Sequence, residues 1–183
     1  SDVCSSDLMK NQSGLRDLPD YSPESVSSRL QKADAPAFNV DEMILRTPEE
    51  LKQSVILLQD AFTSFYESQV AMDLYELLKQ LNYTVYVAPF SPNGKPLHVK
   101  GFLKQFRKVV EKNTNWLSYA ARCGIPLVGL DPSVVLTYRD EYLKILGENK
   151  LPFEVLLPQE FLAKKSKNLP EHVDSISKQR SEE

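Results

Sequence analysis

The fold is decided by a stretch that passes from strand to loop to helix, Tyr83-Thr-Val-Tyr-Val-Ala-Pro-Phe-Ser-Pro-Asn-Gly-Lys-Pro-Leu-His-Val-Lys-Gly101. Its first six residues are rich in aromatic and β-branched side chains, which favours a strand over 83–88. A second stretch, Gly124-Ile-Pro-Leu-Val-Gly-Leu-Asp-Pro-Ser-Val-Val-Leu-Thr-Tyr-Arg-Asp-Glu-Tyr142, repeats this order. It contains a buried strand over Ile125–Leu130, after which Pro132 can open a helix. The two stretches therefore predict successive βα units.

Two further strands and the helices between them extend this pattern in both directions. Ser54–Asp60 contains an unbroken apolar run that suits a strand buried on both faces, and Phe153–Leu157 is a fourth candidate strand. Apolar residues at helical spacing predict two amphipathic helices. Their predicted buried faces comprise Val70, Leu74, Leu77, Leu78 and Leu81 in the first helix and Val99, Phe102, Leu103, Phe106, Val109, Val110 and Leu117 in the second. The alternation predicts an α/β fold, an open and mostly parallel sheet of about four strands with helices on both faces.

We expect the two ends of the sequence to differ in origin from the part between them. Residues 1–8 and 180–183 match translations of a common sequencing adaptor, so we expect both to be adaptor-derived scars. The segment before residue 47 is polar and contains several prolines, which is typical of a linker with at most one short helix. Thr47-Pro-Glu-Glu50 has the pattern of a helix N-cap with a capping box. The predicted organisation is 1–8 scar, 9–46 linker, 47–165 α/β domain, 166–179 polar tail and 180–183 scar.

Charge and cysteine content exclude several kinds of site. The formal net charge of −3 resides entirely in the expected scars, so the remainder has no electrostatic footprint for nucleic acid. One of the two cysteines also lies in a scar, which leaves Cys123 alone. A single thiol supplies neither a disulfide framework nor a zinc or iron–sulfur site. No apolar run approaches the roughly 20 residues of a membrane span, and we expect a cytoplasmic protein with no nucleic-acid partner.

Ligands of open parallel sheets lie beyond the carboxyl ends of the strands, where three loops are predicted. These loops are Gln59–Tyr66, Pro89–His98 and Asp131–Ser133. In the longest loop Gly94 permits a turn with positive φ, and Lys95 and His98 could hold an anion at the next helix N-terminus. A rigid polar turn with a surface lysine explains the same residues. Neither a GxGxxG nor a GxxxxGKS/T motif is present, so a nucleotide site is not expected.

Asp60 and Asp131 each follow a buried strand directly. Two carboxylates at one sheet edge could bind a metal or serve as acid and base. The alternative is that each aspartate caps the next helix by accepting hydrogen bonds from its free N–H groups. Because no local pattern places a base beside a nucleophile, no catalytic or metal-ligating residue is assigned. Cys123 is expected to be a buried small hydrophobe at a helix C-terminus.

Three loop segments carry a resemblance to a known family. They are Phe62-Thr-Ser-Phe-Tyr-Glu67, Pro92-Asn-Gly-Lys-Pro96 and Pro132-Ser-Val-Val-Leu-Thr-Tyr-Arg-Asp-Glu-Tyr142. They resemble the first polar loop, the Cys-Cys-Gly-x-Pro loop and the Pro-Ser-Cys-x-Leu-Thr-x-Arg-x-Glu-Tyr segment of CCG domains. Such domains occur in the iron–sulfur subunits of glycolate oxidase, anaerobic glycerol-3-phosphate dehydrogenase and heterodisulfide reductase. Over residues 47–162 the chain is most similar to large fused flavoproteins of the D-lactate and D-2-hydroxyglutarate dehydrogenase type.

The departures from this family concern the cluster ligands. Pro92 and Asn93 stand where the resemblance implies paired cysteines, and Val134 stands where it implies a third cysteine. Asparagine and valine side chains do not ligate an iron–sulfur cluster. Residues 47–165 therefore resemble a CCG half-domain without its ligands, and no cofactor is expected in this fragment. The resemblance implies FAD and 4Fe-4S clusters in the parent protein.

The resemblance implies that the chain is a fragment of an FAD- and 4Fe-4S-dependent D-2-hydroxyacid dehydrogenase. The parent would pass electrons from a small 2-hydroxyacid through flavin and clusters to an acceptor. This fragment would be a non-catalytic scaffold beside the cluster region, with the remaining domains of the parent chain as its partners. The residues implied as groups near a redox centre are Asn93, Gly94, Lys95, His98 and Arg139. The alternatives are a structural or docking module with no redox role and, less well supported, a flavodoxin-like nucleotide-binding module.

Overall fold

A computed structural model of the chain describes residues 21–43, 45–147 and 151–166. The strands are β1 (Ser54–Leu58), β2 (Thr84–Val87), β3 (Leu127–Gly129) and β4 (Val155–Leu156). All neighbouring pairs are parallel, and they form one open sheet in the order β2-β1-β3-β4. The predicted α/β fold is confirmed, although each strand is shorter than the segment that predicts it.

Helices connect the strands and flank the sheet. In chain order they are α1 (Val26–Lys32), α2 (Val40–Met43), α3 (Pro48–Lys52), α4 (Ala61–Phe65), α5 (Ser68–Gln80), α6 (Lys95–Val99), α7 (Leu103–Arg122), α8 (Pro132–Leu136), α9 (Tyr142–Leu146) and α10 (Pro158–Ser166). A π-helix at Thr137–Glu141 lies between α8 and α9 and joins them into one continuous helical segment. Such π-turns are rare inside helices and often occur near functional sites.

Alternate residues of β1 belong to two separate hydrophobic cores. Val55 and Leu57 pack in one core with residues of α1, α5 and α10. Ile56 and Leu58 pack in the other core with residues of α7, α8 and α9. All four side chains are at most 3% exposed. Because successive side chains of a strand point to opposite faces of the sheet, helices cover both faces, as predicted.

The predicted buried face of α5 is only partly correct. Leu74 and Leu78 are buried as expected, but Val70, Leu77 and Leu81 are exposed. The stripe that packs in the core comprises Ala71, Leu74, Tyr75 and Leu78. Both sets have helical spacing, so periodicity alone does not choose between them. Packing against α1 and the sheet selects the stripe that contains the small Ala71.

The predicted buried face of α7 is correct in the middle of the helix and wrong at its start. Its confirmed positions are Phe106, Val110 and Leu117. Val99 belongs to the separate helix α6, and Phe102 is the N-cap residue of α7. Val99 and Phe102 precede α7 and are exposed, and Leu103, the first residue of α7, is exposed as well.

The described part of the predicted linker is folded against the sheet. It contains α1 and α2, so the prediction of at most one short helix is wrong. Val26 and Leu30 of α1 are buried in the core that also contains α5. Farther along, the N–H of Phe38 donates to the carbonyl of Val87 at 2.8 Å, next to a parallel bridge between Ala37 and Val87. Residues 21–43 are thus part of the domain.

Local helix signals in the sequence are mostly confirmed. The Oγ1 of Thr47 accepts a hydrogen bond from the N–H of Glu50, and the Glu50 carboxylate accepts one from the N–H of Thr47. Gly147, at φ 69°, ends α9 in the left-handed conformation. Cys123 ends α7 as predicted, but it is only half-buried. Burial raises the pKa of its thiol.

Several predictions concern the ends of the chain. The predicted scars at 1–8 and 180–183 lie outside the described residues, as do residues 9–20 of the predicted linker and 167–179 of the predicted tail. Helix α10 continues through residue 166, one residue past the predicted end of the domain. Within the described ranges no helix has both the length and the apolar character needed to cross a membrane.

Candidate functional site

The carboxyl ends of β1, β2 and β3 bring three loops to one edge of the sheet. Strand β1 is central, and the chain crosses from β2 on one side of it to β3 on the other. The order of the strands therefore reverses between β1 and β3. Open parallel sheets bind ligands at such a reversal, which makes this edge the candidate site of the chain.

Asp60 lies at this edge as the N-cap residue of α4 and is buried. Its Oδ1 accepts hydrogen bonds from the N–H groups of Phe62 and Thr63, each at 2.9 Å. Its Oδ2 accepts a short hydrogen bond from the hydroxyl of Thr63. Both carboxylate oxygens are therefore engaged within α4, which confirms the capping interpretation.

Asp131 has the same role after β3. Its Oδ1 accepts a hydrogen bond from the N–H of Val134 at 2.9 Å and so caps α8. In the part of the chain that the structure describes, no three His, Cys, Asp or Glu side chains are grouped so that they could hold a metal ion. The two aspartates therefore shape the loops at this edge.

A buried hydrogen-bond network joins the loop after β2 to α7 and α9. The side-chain amide of Asn113 donates to the carbonyl of Pro92 and to the hydroxyl of Tyr142, both at 3.0 Å. The Tyr142 hydroxyl donates in turn to the carbonyl of Asn93 at 2.9 Å. The Oδ1 of Asn113 accepts from the hydroxyl of Ser91 at 2.8 Å. Burial raises the pKa of the Tyr142 hydroxyl, which keeps it protonated as a donor.

Gly94 follows this network and has a conformation that favours glycine. Its φ is 82°, in the left-handed region. A Cβ atom at this position would lie 2.7 Å from Cδ2 of Phe106, which is fully buried. The Oδ1 of Asn93 accepts a hydrogen bond from the N–H of Lys95 at 3.0 Å and closes the turn. The prediction of positive φ at Gly94 is confirmed.

Lys95 and His98 lie on α6, next to Glu141 of the π-helix. The Nζ of Lys95 lies 2.6 Å from Oε1 of Glu141, and Nδ1 of His98 lies 3.9 Å from the same oxygen. The His98 ring also lies against the ring of Phe106, with centroids 5.0 Å apart. An anion held by Lys95 stays a prediction, but this lysine already has a carboxylate partner within the chain.

Among the described residues, two buried polar atoms at this loop make no hydrogen bond: Nδ2 of Asn93 and Oε2 of Glu141. Asn93 is 9% exposed, and the side chain of Glu141 is 14% exposed. A buried polar atom without a partner costs about 1–3 kcal/mol. The loop therefore retains one donor and one acceptor beyond its internal network.

Arg139 is directed to a different part of the fold. Its Nε and one terminal nitrogen donate to the carbonyl of Val155 in β4, at 3.0 and 2.7 Å. Its guanidinium also pairs with Glu160 of α10. The hydrogen bond between the side chains of Arg139 and Glu160 raises the pKa of Arg139 and lowers the pKa of Glu160 to about 2. Of the five candidate residues, Asn93, Gly94, Lys95 and His98 are brought together, whereas Arg139 links the π-helix to β4 and α10.

Three residues that hold the loop in place are not predicted from the sequence: Asn113, Glu141 and Tyr142. Asn113 occupies a buried position of α7 between Val110 and Leu117. A polar residue on an otherwise apolar helical stripe is a signal that the sequence does contain, because a buried amide requires partners. Its partners, however, lie 21 and 29 residues away and are found only in the folded chain.

Comparisons with known proteins identify relatives of the chain. It is 40% identical over 153 residues to a Pantoea ananatis protein, 37% over 163 residues to an Escherichia coli protein and 40% over 157 residues to a Pseudomonas putida protein. Each of the three is named D-2-hydroxyglutarate dehydrogenase. The matches cover 84–89% of this chain but only 15–16% of each relative. No profile of a protein family matches the chain, and no solved structure does.

Sequence identity of this level over most of the chain is consistent with the resemblance carried by the three loop segments. The matched part of each relative is short, so the chain spans about a sixth of the length of these proteins. The chain is therefore the homologue of one segment of these longer proteins, each of which is named D-2-hydroxyglutarate dehydrogenase.

Proposed function

We propose that the chain is a non-catalytic scaffold segment of an FAD- and 4Fe-4S-dependent D-2-hydroxyacid dehydrogenase. The names of the relatives support an oxidoreductase that acts on D-2-hydroxyglutarate. The parent protein would oxidise the hydroxyl-bearing carbon of such a substrate. FAD and iron–sulfur clusters, when bound elsewhere in the parent, supply hydride acceptance and electron transfer.

The observation that carries the scaffold role is the network around the loop after β2. In this loop the carbonyls of Pro92 and Asn93 are bound by Asn113 and Tyr142. These are the positions at which the resemblance implies paired cysteines. Here hydrogen bonds from protein side chains fix the loop, so its shape does not depend on a bound cluster.

The described residues do not fit an iron–sulfur cluster. The loop offers amide, hydroxyl, carboxylate and ammonium groups, whereas cluster iron is held by thiolates. Cys123 is the one thiol in the described residues, and it precedes β3 at the opposite, amino edge of the sheet. We therefore expect any cluster of the parent to be held by residues other than those that the structure describes.

Lys95 and His98 are the residues proposed to act on a neighbouring redox centre. Both side chains are half-buried at the carboxyl edge, on the helix that follows the loop. Because Glu141 pairs with Lys95, the pair contributes an oriented dipole rather than a full positive charge. Fixed dipoles and charges near a cluster shift its reduction potential.

A second candidate function is a structural or docking module with no redox role. Asp60 and Asp131 each cap a helix, and Lys95 pairs with Glu141. These contacts favour the structural function, because the charged groups stabilise the fold itself. In this case the carboxyl edge would contact protein instead of a redox centre. The two functions differ in whether Lys95 and His98 affect electron transfer in the parent.

The test compares the isolated 183-residue chain with the full-length protein encoded by the parent reading frame. We expect the full-length protein to contain flavin and iron and to reduce a dye with D-2-hydroxyglutarate. The isolated chain should contain neither in stoichiometric amount. A parent protein that carries flavin but does not oxidise any D-2-hydroxyacid would contradict the proposed activity. Iron bound in stoichiometric amount by the isolated chain would contradict the scaffold role.

A further inference from the structure

Five aromatic side chains form a partly exposed patch at the carboxyl edge of the sheet. The aromatic patch consists of Tyr21, Phe62, Phe65, Tyr66 and Phe90. Tyr21 is 52% exposed, Phe62 44%, and Phe65 and Phe90 are each 39% exposed. Phe62 and Phe65 lie on α4 directly after β1, and Phe90 lies in the loop after β2. Solvent exposure of this much aromatic surface in one place is typical of an interaction site.

The rings of the patch contact one another in two groups that α4 joins. Tyr66 stacks on Tyr21 with centroids 4.8 Å apart and on Phe62 at 5.6 Å. Phe65 meets Phe90 edge to face, with centroids 5.5 Å apart. Phe62 and Phe65 are three residues apart on one helix and therefore lie on neighbouring positions of its surface. The patch is thus one contiguous surface.

The patch also lacks the charges that keep other exposed surfaces of this chain in water. Residues 61–66 and 88–94 contain no charged side chain. Asp60, which precedes them, is buried and caps α4. The exposed face of α7, by contrast, carries Lys104, Arg107, Lys108, Glu111 and Lys112. Depletion of charge together with enrichment of aromatic residues characterises the centres of protein interfaces.

Hydrogen bonds hold the patch in one arrangement. The N–H of Ser22 donates to the carbonyl of Phe65 and its hydroxyl donates to the carbonyl of Tyr66, each at 2.7 Å. The side-chain amide of Gln59 donates to the carbonyl of Ala88 at 2.8 Å and ties the loop after β1 to the loop after β2. A surface that is fixed before binding loses less conformational entropy on docking.

We infer that the aromatic patch is the surface by which this segment docks onto an apolar, uncharged surface of the rest of its parent protein. The relatives supply the reason for this partner, because the chain matches only 15–16% of their length and the remainder is available to cover the patch. The inference rests on the proposed role as a segment of the longer enzyme.

Hydroxyl-radical labelling of aromatic side chains tests the inference on the isolated chain and on the full-length parent. We expect labelling of Phe62, Phe65 and Phe90 to fall several-fold in the parent. Tyr119 is the control, because it is 53% exposed near the end of α7, toward the amino edge of the sheet. Its labelling should be the same in both proteins. Equal labelling of the patch in both proteins would overturn the inference.

A second arm uses the parent protein with Phe62→Ser, Phe65→Ser and Phe90→Ser combined, and Tyr119→Ser as the matched control. The triple variant should become more susceptible to limited proteolysis between this segment and its neighbours, and the control should not. Unchanged proteolysis of the triple variant overturns the inference. So does self-association of the isolated chain that protects the patch, since the occupant would then be a second copy. Protection in a parent that lacks dehydrogenase activity would support the docking surface and overturn the proposed function.

Discussion

The hydroxyl of Tyr142 lies 2.9 Å from the carbonyl oxygen of Asn93 and links the start of α9 to the loop after β2. Tyr142 is fully buried, and its hydroxyl also accepts a hydrogen bond from Asn113. One phenol oxygen thus serves as donor and acceptor between two parts of the chain that are 49 residues apart. The shape of the candidate loop depends on this contact.

Tyr142→Phe should therefore destabilise the fold. The substitution leaves the Asn93 carbonyl without its donor and removes one acceptor of the Asn113 amide, at a cost of about 1–3 kcal/mol in the free energy of unfolding. Urea unfolding followed by circular dichroism measures the change. Tyr119→Phe is the control, because Tyr119 is exposed and the same atom is removed there. Equal stability of the two variants would contradict the role given to the network.

Gly94→Ala should destabilise the fold more than Gly101→Ala does. Both glycines have positive φ, at 82° and 75°, so alanine is strained at each by about 1–2 kcal/mol. Only at Gly94 would the new Cβ also meet Phe106, whereas nothing lies within 4 Å at Gly101. Thermal unfolding of the two variants gives the comparison. A larger loss of thermal stability in Gly101→Ala than in Gly94→Ala would contradict the close packing of Gly94 against Phe106.

Leu74→Ala and Leu77→Ala test which face of α5 is buried. Leu74 is 8% exposed and Leu77 is 41% exposed on the same helix. Truncation of the buried leucine should cost about 2–5 kcal/mol, and truncation of the exposed one about 0.5 kcal/mol. Chemical denaturation measures both, and each variant is the other's control because the substitutions are identical. A loss of stability in Leu77→Ala as large as that in Leu74→Ala would restore the face predicted from periodicity, which contains both leucines.

The Arg139–Glu160 pair should make stability depend on pH in the acidic range. The hydrogen bond to Arg139 lowers the pKa of Glu160 to about 2, below the usual value of a glutamate. The pair therefore stabilises the fold above the unfolded-state pKa, and this contribution is lost as pH falls through the folded-state pKa. Between about pH 5 and pH 2 the wild type should lose more stability than Glu160→Gln.

Denaturation at a series of pH values measures this difference. The contribution is small because both side chains are partly exposed and solvent screens the pair. Glu154→Gln, which removes another exposed carboxylate close to α10, is the matched control. Parallel pH profiles for wild type and Glu160→Gln would show that the pair does not contribute.

Lys95→Ala combined with His98→Ala should alter electron exit in the parent enzyme. If these residues act on a redox centre, flavin reduction by D-2-hydroxyglutarate should be unchanged, while transfer to the acceptor should slow. Stopped-flow measurement separates the two half-reactions. Lys104→Ala, an exposed lysine at the start of α7, is the control. Wild-type rates for both half-reactions would favour the docking module.

The features that the sequence predicts well are local ones. A capping box at Thr47, aspartate caps at Asp60 and Asp131 and a left-handed glycine at Gly94 need only neighbours in the chain. Their residue types satisfy backbone groups or permit dihedral angles that few other residues satisfy or permit. The strands are also predicted locally, because each is marked by an apolar run within one short segment.

The features that the sequence does not predict depend on contacts between distant segments. Ser25 caps α1 and the apolar pair Val26 and Leu30 follows it at helical spacing, but the polar composition around them favours a linker. Their burial results from packing against α5. Similarly, Lys95 pairs with Glu141. From the sequence alone, Glu141 is equally well explained as part of a solvated helical face.

The central strand β1 has a consequence for how the chain unfolds. It hydrogen-bonds to β2 on one side and β3 on the other, and its alternate side chains belong to the two cores. If one helical layer separates from the sheet, it exposes β1 residues whose immediate neighbours pack against the other layer. The two layers should melt in one cooperative transition, with the slowest amide hydrogen exchange at β1. Anything that binds one face then protects the backbone that supports the other.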